Sequence, residues 1–197
     1  PSKLVRTLAH AYQHPAEFTE RAGRLRLRPY QVPVIEALAA SIRQRLGLTF
    51  VVIFPRQSGK NETQAALYVY LLKLFRQLGG DVIHVEPTFK PQTIIAMQRL
   101  EKRLKTNLLT KGGPSHNGRG KKWRKLAGYM YGLGEARVVH YSGDLAANVV
   151  GATAGLPLSI NEAQDISPQK FDKDFAPMGA STNVTRERGI GFMTADS

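Results

Sequence analysis

The sequence predicts an α/β domain in which a mostly parallel central sheet is flanked by helices. Segments with the hydrophobic period of helices, about 3.6 residues, alternate along the chain with short apolar runs typical of buried strands. The chain has 197 residues, the size of one ordinary domain, and can bury a core without disulfides or metals. Together these observations favour one helix-flanked domain.

The first elements are a helix and a strand. Residues 31–46 follow Pro29 and carry apolar side chains at a helical period, which predicts a helix with one buried face. Residues 48–54 form a continuous apolar, β-branched run. Such a run predicts a strand of a parallel sheet that is covered on both faces.

The alternation then continues. Residues 61–78 have helical composition and end at Gly79 and Gly80, which are typical of a helix C-terminus. A short strand is predicted over 81–86 and an amphipathic helix over 91–109. Glycine, proline and polar residues crowd 111–120, which indicates an exposed mobile loop. The remaining strand candidates are residues 137–142, 156–160 and 189–194.

The net charge limits the classes of partner. Lys and Arg total 28 against 15 Asp and Glu, which gives a net charge of +13 and a pI near 10.2. This excess favours a polyanion such as nucleic acid, although it is also compatible with a basic protein that binds none. The basic residues concentrate before the first predicted helix, in 21–28, and again in 111–125.

Other partner classes are excluded by composition. The chain has no cysteine, so disulfides and cysteine-ligated zinc are ruled out, and its five histidines show no metal-ligand spacing. No apolar run approaches the ~20 residues that span a bilayer, and the first ten residues do not resemble a signal peptide. These features predict a cytosolic protein without a membrane role.

A phosphate-binding loop is indicated where the first strand meets the next helix, in residues 54–61. Gly59 and Lys60 follow a turn and open the helix, where backbone N–H groups point at an anion and a lysine reaches outer phosphates. The strict pattern is not met, because Phe54 takes the first glycine position and Asn61 replaces the magnesium-ligating hydroxyl residue. On its own, the segment is also compatible with an ordinary helix start.

A second polar segment follows the apolar strand predicted over 156–160. Asn161, Glu162 and Asp165 come directly after it. Ligands bind at the carboxyl ends of parallel strands, so this segment and the glycine loop are expected to face one crevice. Glu162 is the candidate general base for water. The alternative is that Glu162 and Asp165 are acidic residues that stabilise a helix N-terminus.

Four segments also carry a resemblance to a known family. In chain order they are residues 28–31 (RPYQ), 55–62 (PRQSGKNE), 161–165 (NEAQD) and 194–196 (TAD). They resemble the Gln motif, Walker A, Walker B and coupling motif in the ATPase domain of a tailed-bacteriophage terminase large subunit, a DNA-packaging motor. Their order and spacing agree as well. The resemblance implies a P-loop NTPase fold of the ASCE/RecA-like class.

The resemblance also implies roles for the matching positions. ATP would be bound by Tyr30, Gln31, Arg56, Gln57, Ser58, Gly59, Lys60, Asn61 and Glu62. Within this set Gln31 would contact adenine, Lys60 would hold the phosphates, and Arg56 would act as an arginine finger in cis. Alternatively, Arg56 is a surface charge on a loop.

Hydrolysis and coupling are assigned in the same way. Glu162 would activate the attacking water, with Arg56 and Lys60 as its catalytic partners. Thr194, Ala195 and Asp196 would sense the γ-phosphate and couple hydrolysis to domain movement. Mg²⁺ would be held near Asn61 and Asn161. Both side chains are neutral amides, and the family usually has aspartate where this chain has Asn161. A neutral amide predicts reduced magnesium affinity.

The domain boundaries follow from the same comparison. Residues 1–27 are predicted to be a basic N-terminal segment, and residues 28–197 to be the P-loop ATPase domain. The family's C-terminal nuclease domain has no counterpart in these residues. We therefore expect this chain to hydrolyse ATP without cutting DNA.

Duplex DNA is the expected polyanionic partner. Packaging requires a grip on phosphates that does not depend on base sequence, which suits scattered basic side chains. The candidates are Lys111, Arg119, Lys121, Lys122, Arg124 and Lys125, with Trp123 as a packing residue. The alternative is a solvated basic loop or a subunit contact.

The remaining expectations come from the family. They are a portal protein and a small terminase subunit as partners, a homo-oligomeric ring, and a location in the host cytoplasm on the procapsid. Two other function classes stay open. One is a helicase-type translocase, and the other is a nucleotide-binding assembly module with weak or no hydrolysis, which Asn61 and Asn161 suggest.

Overall fold

A seven-stranded sheet forms the centre of the protein. The computed structural model describes residues 9–111, 123–145 and 152–192. Along the sheet the strands run in the order β1-β7-β6-β2-β5-β4-β3. Their bounds are β1 Thr49–Pro55, β2 Gly80–Glu86, β3 Arg124–Leu126, β4 Met130–Leu133, β5 Ala136–Ser142, β6 Leu158–Ile160 and β7 Arg186–Phe192.

Helices flank this sheet. They include α1 Pro15–Arg21, α2 Val32–Gln44, α3 Lys60–Leu74, α4 Ile94–Thr106 and the single turn α5 Pro168–Lys170. Single 3₁₀ turns cover Ala163–Asp165 and Pro177–Gly179. None of the helices within the described ranges is long and apolar enough to cross a membrane.

The strands are mostly parallel, as the alternation of helix and strand signals predicted. The pairs β1–β7, β7–β6, β6–β2 and β2–β5 are parallel. The pairs β5–β4 and β4–β3 are antiparallel and add a hairpin at one edge. The sequence patterns did not predict this hairpin, because β3 and β4 are too short to show a periodicity.

Apolar side chains pack on both faces of the sheet. On one face, α1 to α4 cover β2 and β5 through a cluster that includes Leu38, Leu71, Leu100 and Val138. On the other face, Ile83, Leu158 and Phe175 pack with the turns that follow β6. Helix α1 contributes to the first cluster, where Phe18 meets Tyr70 edge to face with ring centroids 5.4 Å apart.

The expectation that the first strand is covered on both faces is wrong. β1 lies at the edge of the sheet, and Val51 and Ile53 are each 58% exposed, while Val52 and Phe54 on its other face are buried. An apolar run indicates a strand but does not fix the position of that strand in the sheet. Only the pairing with β7 places β1 at the edge.

The last strand begins earlier than expected, at Arg186 and not at residue 189. Its first residues are charged, so no apolar run marks the start of this strand in the sequence. Arg186 donates hydrogen bonds to the carbonyls of Gly47 and Ser181, at 3.1 Å each. The Arg186 guanidinium therefore holds the loops that contain Gly47 and Ser181 at the start of β7.

A buried polar layer separates α3 from the sheet. The layer comprises Gln64, Tyr68, His84, Glu86, Ser159, Asn161 and Glu187. Within it Ser159 donates to Glu187 at 2.6 Å and Gln64 donates to Glu187 at 3.1 Å. Burial raises the pKa of Glu187 despite these hydrogen bonds. At one end of the layer, Asn161 donates to Asn61, the second residue of α3, at 3.2 Å.

Candidate active site

The loop between β1 and α3 is shaped by Gly59. Its φ of +88° lies in the left-handed region that glycine tolerates, and α3 begins at the next residue, Lys60. A Cβ at this position would come within 2.5 Å of the Gln31 amide nitrogen. The loop therefore needs glycine both for its turn and for the close approach of Gln31.

Gln31 and Tyr30 fasten this loop to the start of α2. The Gln31 amide donates to the Ser58 and Gly59 carbonyls at 3.1 and 3.2 Å, and its oxygen accepts from the Arg28 N–H at 2.8 Å. The Tyr30 hydroxyl donates to the Ser58 carbonyl at 2.8 Å. In this structure, the residues of the predicted adenine-binding motif hold the glycine loop in shape.

The first side chain of α3 meets the segment that follows β6. The Lys60 side chain is only 7% exposed, and its Nζ donates to Glu162 Oε1 at 2.7 Å. Lys60 and Glu162 are 102 residues apart in sequence. The fold therefore joins the two segments that the sequence analysis expected to share one crevice.

The Glu162 carboxylate has further donors. Its Oε2 accepts from the Gln164 amide at 2.8 Å and from the Gly191 backbone N–H at 3.1 Å. Burial raises the pKa of this carboxyl, but the hydrogen bonds from Lys60, Gln164 and Gly191 outweigh it and hold the pKa below its ordinary value. Glu162 is therefore ionised at neutral pH.

The position of Glu162 depends on its backbone. It adopts a left-handed φ of +44°, and its side chain does not cap the 3₁₀ turn that follows. Instead, the carboxylate reaches β7, where a Cβ on Gly191 would come within 2.7 Å of Glu162 Oε2. This contact argues against the alternative that Glu162 only stabilises a helix N-terminus.

A cleft of about 750 Å³ opens over the loop and Glu162. It is rich in cationic side chains, with Arg26, Arg28, Arg56 and Arg99 on its walls together with Lys60. Such a cleft is suited to a ligand with several negative charges. Arg99 and Gln92 were missed by sequence reasoning, since only the packing of α4 and the turn before it brings them to the cleft.

The two amides expected near a metal are in contact. Asn161 Nδ2 donates to Asn61 Oδ1 at 3.2 Å, and Asn61 lines the cleft. Mg²⁺ usually keeps several waters and takes only one or two protein oxygens together with substrate phosphates. A hard amide oxygen beside the glycine loop fits that requirement. No preformed group of three or more acidic, His or Cys ligands occurs in 9–111, 123–145 or 152–192.

The cleft gathers most of the predicted nucleotide-binding residues. Gln31, Glu162 and every residue of 55–62 line it. Tyr30 lies beside it through the Ser58 contact, and Glu62 also forms an ion pair with Arg103 of α4. The coupling residues Thr194, Ala195 and Asp196 lie outside the described residues.

The predicted DNA-contacting residues lie elsewhere. Arg124 and Lys125 belong to β3, at the sheet edge opposite β1, and Lys111 is exposed. Arg124 donates to the Gly134 carbonyl at 2.9 Å, and Lys125 Nζ lies 3.7 Å from a Glu101 carboxylate oxygen. Trp123 is buried, as expected of a packing residue. Arg119, Lys121 and Lys122 fall outside the described ranges.

Comparison with known proteins gave matches in structure alone. No protein-family model and no curated protein matches the sequence. The large terminase of bacteriophage HK97 matches with a TM-score of 0.63 and 14% identity, over 91% of this chain and 37% of that one. A large terminase from a thermophilic bacteriophage matches at 0.61 and 11%, over 84% of this chain and 39% of its own.

A single ATPase domain gives a match of similar quality. The large-terminase ATPase domain of a Thermus phage aligns with a TM-score of 0.59 and 17% identity, over 90% of this chain and 69% of that one. The chain thus spans less than two fifths of the two large terminases above, and most of an ATPase domain. At these identities the comparison establishes the fold, and the chain has the fold of the ATPase domains of phage large terminases.

Proposed function

We propose that this chain is an ATP-hydrolysing motor domain of the terminase large-subunit type, which powers the movement of double-stranded DNA into a procapsid. The contact between Lys60 and Glu162 is the observation that carries the proposal. It places an ammonium at the start of a phosphate-loop helix against an ionised carboxylate, inside a cationic cleft. The shared fold of phage large-terminase ATPase domains supports the same function.

Each group has a role in this proposal. The backbone of 57–61 and Lys60 bind the outer phosphates, and Arg56 stabilises the charge that develops during transfer. Glu162 orients the attacking water and accepts its proton as water adds to the γ-phosphorus and the bond to ADP breaks. Phosphoryl transfer depends mainly on positioning and electrostatics, so a carboxylate fixed by three donors suits this task.

Two further features belong to the proposed function. When bound, Mg²⁺ would neutralise charge on the β- and γ-phosphates, with Asn61 as its protein ligand and Asn161 behind it. We also propose that Gln31 supports adenine binding and that Thr194, Ala195 and Asp196 couple hydrolysis to movement. The Gly191 N–H on Glu162 supports coupling, because β7 leads directly to those residues.

Phosphate release from ATP tests the proposal. We expect the purified chain to release phosphate in the presence of Mg²⁺ and duplex DNA. Lys60→Ala is expected to abolish release, because the ammonium that holds the phosphates is lost. Binding of ATP with no release from the wild-type chain would favour the assembly module, and unwinding of a fluorescent duplex would favour a helicase.

Duplex DNA and the packaging partners are part of the same proposal. The net charge of +13 supports a polyanionic partner, and Lys111, Arg119, Lys121, Lys122, Arg124 and Lys125 are the proposed contacts. Arg124 and Lys125 have intramolecular partners, so they would exchange these for DNA phosphates. A portal protein, a small terminase subunit, a homo-oligomeric ring and the host cytoplasm complete the proposed setting.

Salt dependence tests the mode of DNA binding. If the basic residues bind phosphates alone, duplex affinity should fall steeply with salt, by about 10³-fold between 50 and 200 mM if roughly six phosphates are contacted. Fluorescence anisotropy on two duplexes of unrelated sequence would measure it. An affinity that is insensitive to salt, or that differs between the two duplexes, would contradict a grip based on phosphates.

A further inference from the structure

A buried carboxylate lies beside the position where the resembled family usually has aspartate and this chain has Asn161. Glu86 ends β2, and β2 pairs with β6 so that Val85 is level with Ile160. The next residues, Glu86 at the end of β2 and Asn161 directly after β6, are each 1% exposed. Asn161 Nδ2 donates to Glu86 Oε1 at 2.8 Å. A carboxylate is therefore present at this end of the sheet. It lies on the strand next to the position where the resembled family usually has aspartate.

Asn161 connects this carboxylate to the cleft. The same Nδ2 group donates to Asn61 Oδ1 at 3.2 Å, and Asn61 lines the cleft beside Lys60. Asn161 Oδ1 is buried and has no hydrogen-bond partner among the described residues. A chain of carboxylate, amide and amide thus runs from Glu86 to the cleft wall.

The other side of Glu86 is fixed by the polar layer. His84 Nε2 lies 3.0 Å from Glu86 Oε1, and His84 Nδ1 lies 2.8 Å from the Tyr68 hydroxyl. The contacts are satisfied when Tyr68 donates to Nδ1 and His84 carries its proton on Nε2 and donates it to Glu86. Glu86 is therefore held in one position by His84 of β2 and by Asn161, which follows β6.

We propose that Glu86 is the anionic residue of the magnesium site and that it acts through Asn161 on Asn61. The inference rests on the proposed function, because it assigns a residue to the binding of magnesium nucleotide. A buried charge acts over a longer distance than an exposed one, since the protein interior screens it weakly. Glu86 thereby supplies the charge that Asn161 lacks, and its hydrogen bond fixes the amide that orients Asn61. It is a positioning residue, because it does not line the cleft.

The test compares nucleotide affinity with and without magnesium. A non-hydrolysable fluorescent ATP analogue is titrated in Mg²⁺ and in EDTA, and the ratio of the two affinities measures the magnesium contribution. Glu86→Gln is expected to lower this ratio by about 10- to 100-fold, the usual effect of removing a residue that supports a metal ligand. Affinity in EDTA should change little. Equal losses in both conditions would show a purely structural role and overturn the proposal.

A second variant removes the carboxylate from position 86 in β2 and places one at position 161, directly after β6. In Glu86→Gln/Asn161→Asp, the new aspartate accepts a hydrogen bond from the new glutamine amide, so the contact survives with its direction reversed. We expect this variant to fold and to regain most of the magnesium contribution. If Glu86→Gln alone does not fold, the ratio of affinities in Mg²⁺ and in EDTA for this double variant tests the proposal in its place. Failure of the double variant to fold, or to respond to magnesium, would overturn the proposal.

Asn161→Asp alone gives an independent result. It adds a second carboxylate against Glu86, and repulsion between like charges in the weakly screening protein interior opposes the addition of further negative charge at this place. We therefore expect no gain in the magnesium contribution over wild type. A clear gain would mean that Glu86 does not already supply the charge.

The controls separate this inference from the function on which it rests. Glu135→Gln removes an exposed carboxylate in the turn between β4 and β5 and should leave the ratio unchanged. If the nucleotide affinity of the wild-type chain does not depend on magnesium, the proposed function itself is contradicted. A wild-type chain that responds to magnesium, with Glu86→Gln responding equally, would contradict the role of Glu86 alone.

Discussion

Replacing Glu162 with glutamine is expected to lower the rate of ATP hydrolysis by about 10²- to 10⁴-fold while ATP binding persists. Glutamine keeps the size of the side chain but cannot accept a proton from water. It also removes the carboxylate that pairs with Lys60 at 2.7 Å, so the ammonium becomes fully available to phosphate. Equilibrium ATP affinity should therefore stay the same or rise. Single-turnover phosphate release and nucleotide titration would measure the two effects separately.

A matched control and the pH dependence sharpen this test. Glu20→Gln makes the same change at an exposed glutamate of α1, away from the cleft, and should leave hydrolysis unaffected. The donors on Glu162 hold its pKa below the ordinary value for a glutamate, so protonation of this group should slow the wild type only at pH values below the range in which an ordinary glutamate titrates. A Glu162→Gln variant that hydrolyses ATP at the wild-type rate would eliminate Glu162 as the base.

Replacing Arg56 with alanine is expected to lower hydrolysis by about 10³- to 10⁵-fold, the range for an arginine that stabilises a transferring phosphoryl group. Arg56 is exposed on the cleft wall and makes no hydrogen bond or ion pair with any residue that the structure describes. Its guanidinium is therefore free to follow the phosphate. The loss should appear in the rate at saturating ATP, because the charge that it stabilises develops only during transfer.

Two controls test whether Arg56 acts as a finger or as a general surface charge. Arg21→Ala removes an arginine of α1 that pairs with Glu17, outside the cleft, and should not change the rate. Arg56→Lys keeps the charge but loses the planar fork that binds two oxygens at once, so it should recover little activity. Full activity in Arg56→Lys, or only a small loss in Arg56→Ala, would make Arg56 an ordinary loop residue.

Local patterns predicted the elements that carry the cleft. The helix over Val32–Gln44 and the strand over Thr49–Pro55 were predicted within two residues at each end, because their apolar residues show the period of the element. Helix ends were less certain. α3 ends at Leu74 and not at residue 78, and α4 begins at Ile94 after a distorted turn over Phe89–Thr93. Apolar side chains continue past these ends, so periodicity alone does not mark them.

Other features depend on contacts between distant parts of the chain. Val51 and Ile53 are exposed on one face of β1, the strand at the sheet edge, and Arg99 reaches the cleft because α4 packs beside α3. Glu86 gave no signal in the sequence, since a single acidic residue after an apolar run is common at the end of a strand. A role for Glu86 can be inferred only from the fold, in which Asn161, directly after β6, donates a hydrogen bond to it.

By itself the sequence determined the α/β class, the glycine loop with Lys60, and Glu162 after a strand, because the motifs and periodicities behind them are local. The tertiary structure decided which groups meet. It joined Lys60 to Glu162, tied Gln31 to the loop, and set Glu86 behind Asn161. These contacts arise from the order of parallel strands in the sheet, which brings residues far apart in sequence to one edge and which no local pattern specifies.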